Sequence, residues 1–231
     1  TTENIIYNVC AEESLNLLDY KVSIITVSYN SAKFNEKYFN SVNNQSYLNI
    51  EVIFVDCLSK DNTVEDARKR IRKGKVISSK INLGYAGGMN LGVLEASGQY
   101  VFLLGPDTWI DYDCIKNLID TAKIDEAKIY SPRQMTYDGK EFISCGVAAD
   151  LFGYPARAYS RDGKRKIHNV FYADGTGVFM TKANYIKLGM LDDATFLFAE
   201  EVDLSWKAHM LDFKIVPVMT SVIYHYSGGT V

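Results

Sequence analysis

Cysteine is scarce in this chain of 231 residues, and Cys10, Cys57, Cys114 and Cys145 form neither a CxxC pair nor a metal-ligand spacing. They read as reduced thiols of a cytoplasmic protein, and structural zinc is not expected. Apolar runs such as Tyr100 to Leu104 are strand-sized, far short of the roughly 18 residues that cross a bilayer, and the start lacks a signal-peptide layout. Neither charge sign dominates. With 25 Lys+Arg against 28 Asp+Glu the net charge is −3, which argues against gripping a nucleic-acid backbone by bulk electrostatics. Only 4 prolines occur, with no low-complexity tract and no repeat, so a long linker and internal duplication lack support. GxGxxG, GxxxxGKS/T and GxSxG are all absent, which removes the main sequence support for nicotinamide, P-loop and Ser-His-Asp hydrolase chemistry.

What is present is a core-forming composition, 47% hydrophobic and 13% aromatic. The chain runs from Thr1, not a methionine, to Val231 just after a Tyr-His-Tyr-Ser-Gly-Gly stretch, as expected of a segment of a longer, multidomain protein. Residues 1–20 show no clear period and are assigned as an extension or linker; 21–231 are expected to form one domain.

From Lys21 the pattern is regular. Val22, Ile24, Ile25 and Val27 predict a buried strand, and Phe34, Tyr38, Phe39 and Val42 a helix behind a cap at Ser31. Glu51 to Val55 is a second strand ending in Asp56. A helix opened by Asn62 and Thr63 follows, with Val64, Ala67 and Ile71 buried and Gly74 ending it. Lys75 to Ser78, a small-residue helix over Gly87 to Glu95, and a strand over Tyr100 to Leu104 continue the alternation. This predicts an α/β fold with a Rossmann-like, mostly parallel central sheet flanked by helices, and ligands at the carboxyl ends of its strands.

Beyond Asp107 the rhythm becomes α+β. A helix capped at Asp111 and a strand near Lys128 to Tyr130 are followed by a polar, aromatic-rich stretch to about Asn169. Then come a strand-like Val170 to Met180, a short helix over Lys182 to Lys187, and a helix over Glu200 to Leu211 burying Leu204, Ala208 and Leu211. This second half, 108–231, is expected to complete the sheet begun by 21–107 and to add a second binding surface.

The strand ends carry Asn30, Asp56, Asn82, Gly84 and Asp107, all polar or glycine. A lone Asp there is more simply a turn residue, but four aligned strand ends point to a site. The run Asn82-Leu83-Gly84-Tyr85-Ala86-Gly87-Gly88-Met89-Asn90 leads from strand to helix; its glycines suit close approach of a phosphate or sugar, and suit tight packing equally well.

In order along the chain, Val22 to Asn30, Val55-Asp56 with Ser59 to Thr63, Asn82 to Asn90 and Leu103 to Thr108 resemble family 2 inverting glycosyltransferases of the GT-A fold. Leu188 to Asp193, Phe198 to Lys207 and His225 extend the likeness, and the rhamnosyltransferase-like branch looks most similar. The resemblance spans about residues 21 to 226. It implies a nucleotide-diphosphate sugar donor, a dTDP- or UDP-sugar with dTDP-rhamnose among the candidates. The acceptor it implies is a glycan or lipid-linked saccharide, as in cell-surface polysaccharide or glycoprotein synthesis. By the same resemblance Asp56 contacts the base, and Ser28, Tyr29, Asn30, Asn82, Gly84, Gly87 and Asn90 line the donor pocket. Asp107, with His225, holds Mg2+ or Mn2+. Glu201 is the catalytic base of an inverting displacement, and Glu200 and Asp203 lie on the acceptor side. Location follows as cytoplasmic, at most peripheral to the inner face of a membrane.

Two positions depart from the family pattern. Gly105 stands where the first acidic or amide residue of the Asp-x-Asp element belongs, and Glu201 stands where Asp is usual in the Glu-Asp pair. They motivate an alternative, a nucleotide-sugar-binding module with impaired turnover. A nucleotidyltransferase is disfavoured because the glycine-rich basic loop near its first strand is missing. Without the family context, Glu200, Glu201 and Asp203 are more simply an acidic first helical turn. His168 and His209 are expected at the surface or in packing. The basic cluster Arg161, Lys164, Arg165 and Lys166 reads first as a solvated loop and second as a surface for a phosphate-bearing lipid or a membrane.

Overall fold

The computed structural model describes residues 20–122, 128–152 and 154–227, so the extension assigned to 1–20 and the glycines after Ser227 lie almost wholly outside the described residues. In chain order the first half comprises β1 (Val22–Ser28), α1 (Ala32–Asn43), β2 (Ile50–Asp56), α2 (Thr63–Arg70), β3 (Gly74–Ser78), α3 (Gly84–Leu94) and β4 (Tyr100–Leu104). The second half adds β5 (Thr108–Ile110), α4 (Cys114–Ala122), β6 (Lys128–Thr136), β7 (Phe142–Ser144), β8 (Val147–Ala149) and β9 (Pro155–Arg157). It is completed by β10 (Gly177–Thr181), α5 (Lys182–Lys187), α6 (Glu200–Met210) and β11 (Lys214–His225).

One sheet runs β3-β2-β1-β4-β10-β6-β11-β5, with β7 on the side of β6, while β8 and β9 form a separate hairpin. β3, β2, β1 and β4 are mutually parallel; β10 enters antiparallel between β4 and β6. β1 shows why the sequence dictates this. Its seven residues are all buried, Val22 and Ile24 in a core with Tyr38, Phe39 and Phe54, Ile25 and Val27 in a second core with Met89 and Val93. A strand covered on both faces must be apolar on both. Its polar members are satisfied: Ser23 Oγ donates to Glu51 Oε1 at 2.6 Å, and Thr26 Oγ1 donates to the Leu104 carbonyl at 2.9 Å. α1, α2 and α4 supply the first core and α3, α5 and α6 the second, which gives a three-layer α/β molecule.

Several expectations need correction. Ser31 precedes α1 but its hydroxyl meets Ser28 Oγ at 2.5 Å instead of capping the helix. α2 stops at Arg70, and Gly74 opens β3 with φ +130°. The strand at Lys128 runs on to Thr136, whereas the one placed over Val170 to Met180 is confined to Gly177–Thr181. The aromatic-rich stretch folds into β7, β8 and β9. Leu211 is 48% exposed, since it caps α6 instead of joining its buried face. Among the described residues no helix is long and apolar enough to cross a membrane.

Candidate active site

Strand order reverses at the β1–β4 boundary, where the loops leaving two parallel strands part and open a crevice. Two adjoining cavities occupy it. One, of about 240 Å³, is bounded by Tyr29, Cys57, Asn82, Gly84, Tyr85 and Phe196. The other, of about 220 Å³, is bounded by Asp107, Asp174, Gly175, Glu200, Glu201 and His225, and Tyr85, Pro106 and Leu197 line both.

Asp56 ends β2 in register with Ser28 of β1, directly before Cys57, which lines the first cavity. It is 2% exposed; Oδ2 accepts from the Ser59 amide at 3.1 Å, while Oδ1 is buried with no hydrogen-bond partner. An orphaned buried acceptor is costly, and the N–H of a bound base can satisfy it. Asn30, at φ 50°, accepts from the Lys60 amide at 2.7 Å through its carboxamide and donates its own amide to Ser59 Oγ at 2.8 Å. It thereby ties the β1–α1 turn to the β2–α2 turn and sets the rim of the crevice, on which Tyr29 is exposed.

The glycine-rich segment is occupied mainly by protein. Cβ atoms at Gly88 and Gly92 would fall 2.7 Å from Val27 Cγ2 and 2.3 Å from Ile25 Cγ2, so α3 lies directly on β1. Gly84, at φ +67°, faces the Phe196 carbonyl, 2.5 Å from where its Cβ would sit, and that carbonyl accepts the Tyr85 amide at 2.7 Å. Asn82 Oδ1 accepts the Gly84 amide at 3.0 Å. Gly84→Ala combines left-handed strain with that clash and is expected to destabilise the fold by about 1–3 kcal/mol, measurable by denaturant unfolding. It should also raise the KM for donor, because the 196–198 segment borders both cavities.

Ser28 and Asn90 point inward. Ser28 Oγ is engaged with Ser31, and the Asn90 carboxamide donates to the Leu191 carbonyl at 2.8 Å and accepts the Tyr185 hydroxyl at 2.6 Å, locking α3 to the loop after α5. Gly87 packs near Leu83 and Asp193. These three shape the crevice from behind.

Asp107 follows β4 and His225 ends β11, and β5 pairing with β11 brings them together: His225 Nε2 lies 3.3 Å from Asp107 Oδ2. The Tyr226 amide also donates to the Asp107 carbonyl, at 3.1 Å. One carboxylate and one imidazole at that separation can be neighbouring ligands of a single divalent ion, and the mixed O/N set suits Mn2+ better than Mg2+. Among the described residues no group of three or more His, Cys, Asp or Glu could hold a metal alone, so other ligands would have to come with the donor. A Cβ at Gly105 would sit 3.2 Å from Asp107 Oδ1, so a side chain there would need Asp107 to give by a few tenths of an ångström.

α6 follows Ala199, its N-terminal cap position at φ +68°, which itself follows Phe196 and Phe198 at φ 56° and 73°. This strained, exposed segment swings the first turn of α6 into the crevice. Glu200 is 5% exposed with Oε2 unpartnered, and burial raises its pKa. Glu201 lies against the backbone of Gly175, and burial pushes its pKa up to about 7, with the neighbouring carboxylates of Glu200 and Asp174 adding to the rise. Asp203 instead pairs with Lys207 one turn on, at 2.5 Å.

Tyr85, within the Asn82 to Asn90 run, donates its hydroxyl to the Gly175 carbonyl at 2.9 Å across the crevice; sequence inspection missed Asp174 and Gln134. The Asp174-Gly175-Thr176-Gly177 run was a usable turn signal; a single amide within β6 was not. Away from the crevice, His209 Nε2 contacts the Phe171 carbonyl at 2.6 Å, and His168 with the Arg161 to Lys166 cluster lies near the surface.

The mixed sheet flanked by helices, with a crevice at the carboxyl edge of its parallel strands, is the GT-A architecture of glycosyltransferases. Residues 23–186 match the Glycosyl transferase family 2, and the chain belongs to that family. It is 29% identical to the poly-beta-1,6-N-acetyl-D-glucosamine synthase of Staphylococcus epidermidis over 84% of this chain and 47% of that protein. It is 28% identical to the cholesterol galactosyltransferase of Borreliella burgdorferi over 66% and 42%. The chain thus spans about half the length of these relatives. In fold it is similar to GalNAc-T7 solved with UDP, GalNAc and Mn2+, at a TM-score of 0.71 and 16% identity over 89% of this chain and 44% of that one. It is also similar to S. aureus TarS 1-349 with UDP-GlcNAc, at 0.66 and 20% over 91% and 62%.

Proposed function

We propose that the protein transfers a sugar, with inversion, from a nucleoside-diphosphate donor to a hydroxyl of a growing glycan, free or lipid-linked, in cytoplasmic assembly of a cell-surface polysaccharide. The observation that carries this is Glu201, a carboxylate poised near neutrality in the same cavity as the Asp107–His225 pair. In the reaction the acceptor oxygen bonds to the anomeric carbon as its proton passes to Glu201, and the bond from that carbon to the diphosphate oxygen breaks with its electron pair. A divalent ion held by Asp107 and His225 would supply Lewis-acid neutralisation of the charge left on the diphosphate. Asp56 offers its free Oδ1 to the base, and Tyr29, Asn82 and Tyr85 wall the donor cavity. Glu200, next to Glu201 and lining the same cavity, would lie on the acceptor side.

For the donor we favour a UDP- or dTDP-sugar. The names of the similar proteins support a UDP-hexosamine or UDP-hexose, whereas dTDP-rhamnose rests only on the resemblance to the rhamnosyltransferase-like branch. Incubation with UDP-GlcNAc, UDP-galactose and dTDP-rhamnose, with Mg2+ or Mn2+, should release nucleoside diphosphate from one donor in a metal-dependent manner. If calorimetry detected none of these donors binding, this reading of the site would fall.

A further inference from the structure

We propose that Gln134 is a positioning residue that holds His225 as its Nδ1–H tautomer and so turns the Nε2 lone pair toward Asp107. The inference rests on the reading of Asp107 and His225 as an ion-binding pair. It starts from His225 Nδ1, which lies 2.5 Å from the side-chain amide of Gln134, a residue 2% exposed on β6 beside β11.

The direction of that hydrogen bond is decided one residue further out. With the Gln134 nitrogen toward His225, its oxygen would face Asp174 Oδ2 at 2.7 Å, acceptor against acceptor. In the opposite orientation the nitrogen donates to Asp174 Oδ2 at 2.7 Å and to Ser144 Oγ at 3.0 Å, and the oxygen accepts from His225 Nδ1. The network therefore assigns the second orientation. Asp174 is itself held by the Thr176 amide, which donates to Oδ1 at 3.1 Å, and by Ser144 Oγ, 2.7 Å from Oδ2. A carboxylate fixed by backbone thus orients an amide, and the amide orients an imidazole.

The consequence is local and chemical. With Nδ1 carrying the hydrogen, neutral His225 presents a lone pair to Asp107 Oδ2 at 3.3 Å, acceptor against acceptor, which a cation ligated by both or a proton on Nε2 relieves. Without Gln134 the imidazole could place its hydrogen on Nε2 and donate it to Asp107, satisfying the pair and closing it to an ion. Outer partners of this kind set ligand orientation and are worth on the order of 10- to 100-fold in metal affinity.

Two measurements test this. Long-range 1H–15N correlation of the His225 ring at about pH 9, above the ordinary histidine range, should show hydrogen on Nδ1 in the native protein and a shift to Nε2 in Gln134→Leu. Hydrogen on Nε2 in the native protein would overturn the proposal without any variant, as would an unchanged tautomer in a folded Gln134→Leu. With UDP present, the Mn2+ dissociation constant read by electron paramagnetic resonance should rise about 10-fold or more in Gln134→Leu; equal affinity would also overturn it. Failure of the native protein to bind Mn2+ with UDP would sink the ion-binding reading, while the tautomer would still decide whether Gln134 orients the ring.

Discussion

Glu201→Gln should abolish sugar transfer, by about 10²- to 10⁴-fold in kcat, with donor binding nearly unchanged. The amide keeps the shape of the side chain against Gly175 but cannot take the acceptor proton. The raised pKa makes the expectation sharper. A base titrating at about 7 is half protonated at neutrality, so native kcat/KM should climb with pH through that region and level off above it. The variant's residual activity should lack that limb. Stability should move the opposite way. A carboxyl group whose folded pKa exceeds its unfolded value loses its contribution as pH rises from the unfolded pKa through about 7. Glu201→Gln should therefore unfold at a higher temperature than the native protein at pH values above that range, and the gain should shrink in acid. Transfer by the variant at the native rate would remove Glu201 as the base, and the impaired-module alternative would gain if the native protein bound donor yet never released nucleoside diphosphate.

Asp107→Asn should reduce metal-supported kcat/KM on the order of 10²- to 10³-fold, the scale of several kcal/mol of charge stabilisation. Asparagine preserves volume at a position only 4% exposed, so the loss reports charge more than packing. In excess chelator the native protein and the variant should converge. Because Gly105 contributes no side-chain ligand and no cluster of three or more His, Cys, Asp or Glu surrounds the pair among the described residues, an ion bridging Asp107 and His225 would depend on the Asp107 carboxylate. Unchanged metal dependence in the variant would place the ion elsewhere.

The first half of the fold was legible because its signals are local. A strand buried on both faces presents apolar residues to both sides, as β1 does with Val22 and Ile24 on one and Ile25 and Val27 on the other, and the alternation with helices then fixes a parallel sheet and puts Asn30, Asp56 and Asp107 at one edge. β11 was harder to see: it carries Pro217, and its register with β6 shifts between Val218 and Val222. The glycine-rich run signalled close approach correctly, yet what approaches Gly84, Gly88 and Gly92 is Phe196, Val27 and Ile25.

By itself the sequence determined the alternating α/β order, the polar strand ends, the ordered motifs of the family and the acidic first turn of α6. Tertiary structure decided which of those polar residues meet. The antiparallel β5–β11 pairing sets His225 beside Asp107, the strained Phe196 to Ala199 segment carries Glu201 into the same cavity, and Ser28 and Asn90 are turned into the core. Periodicity encodes which face of an element is buried. It carries no record of which distant element buries it, and Glu201's pKa of about 7 depends on that burial and on Asp174 across the cavity.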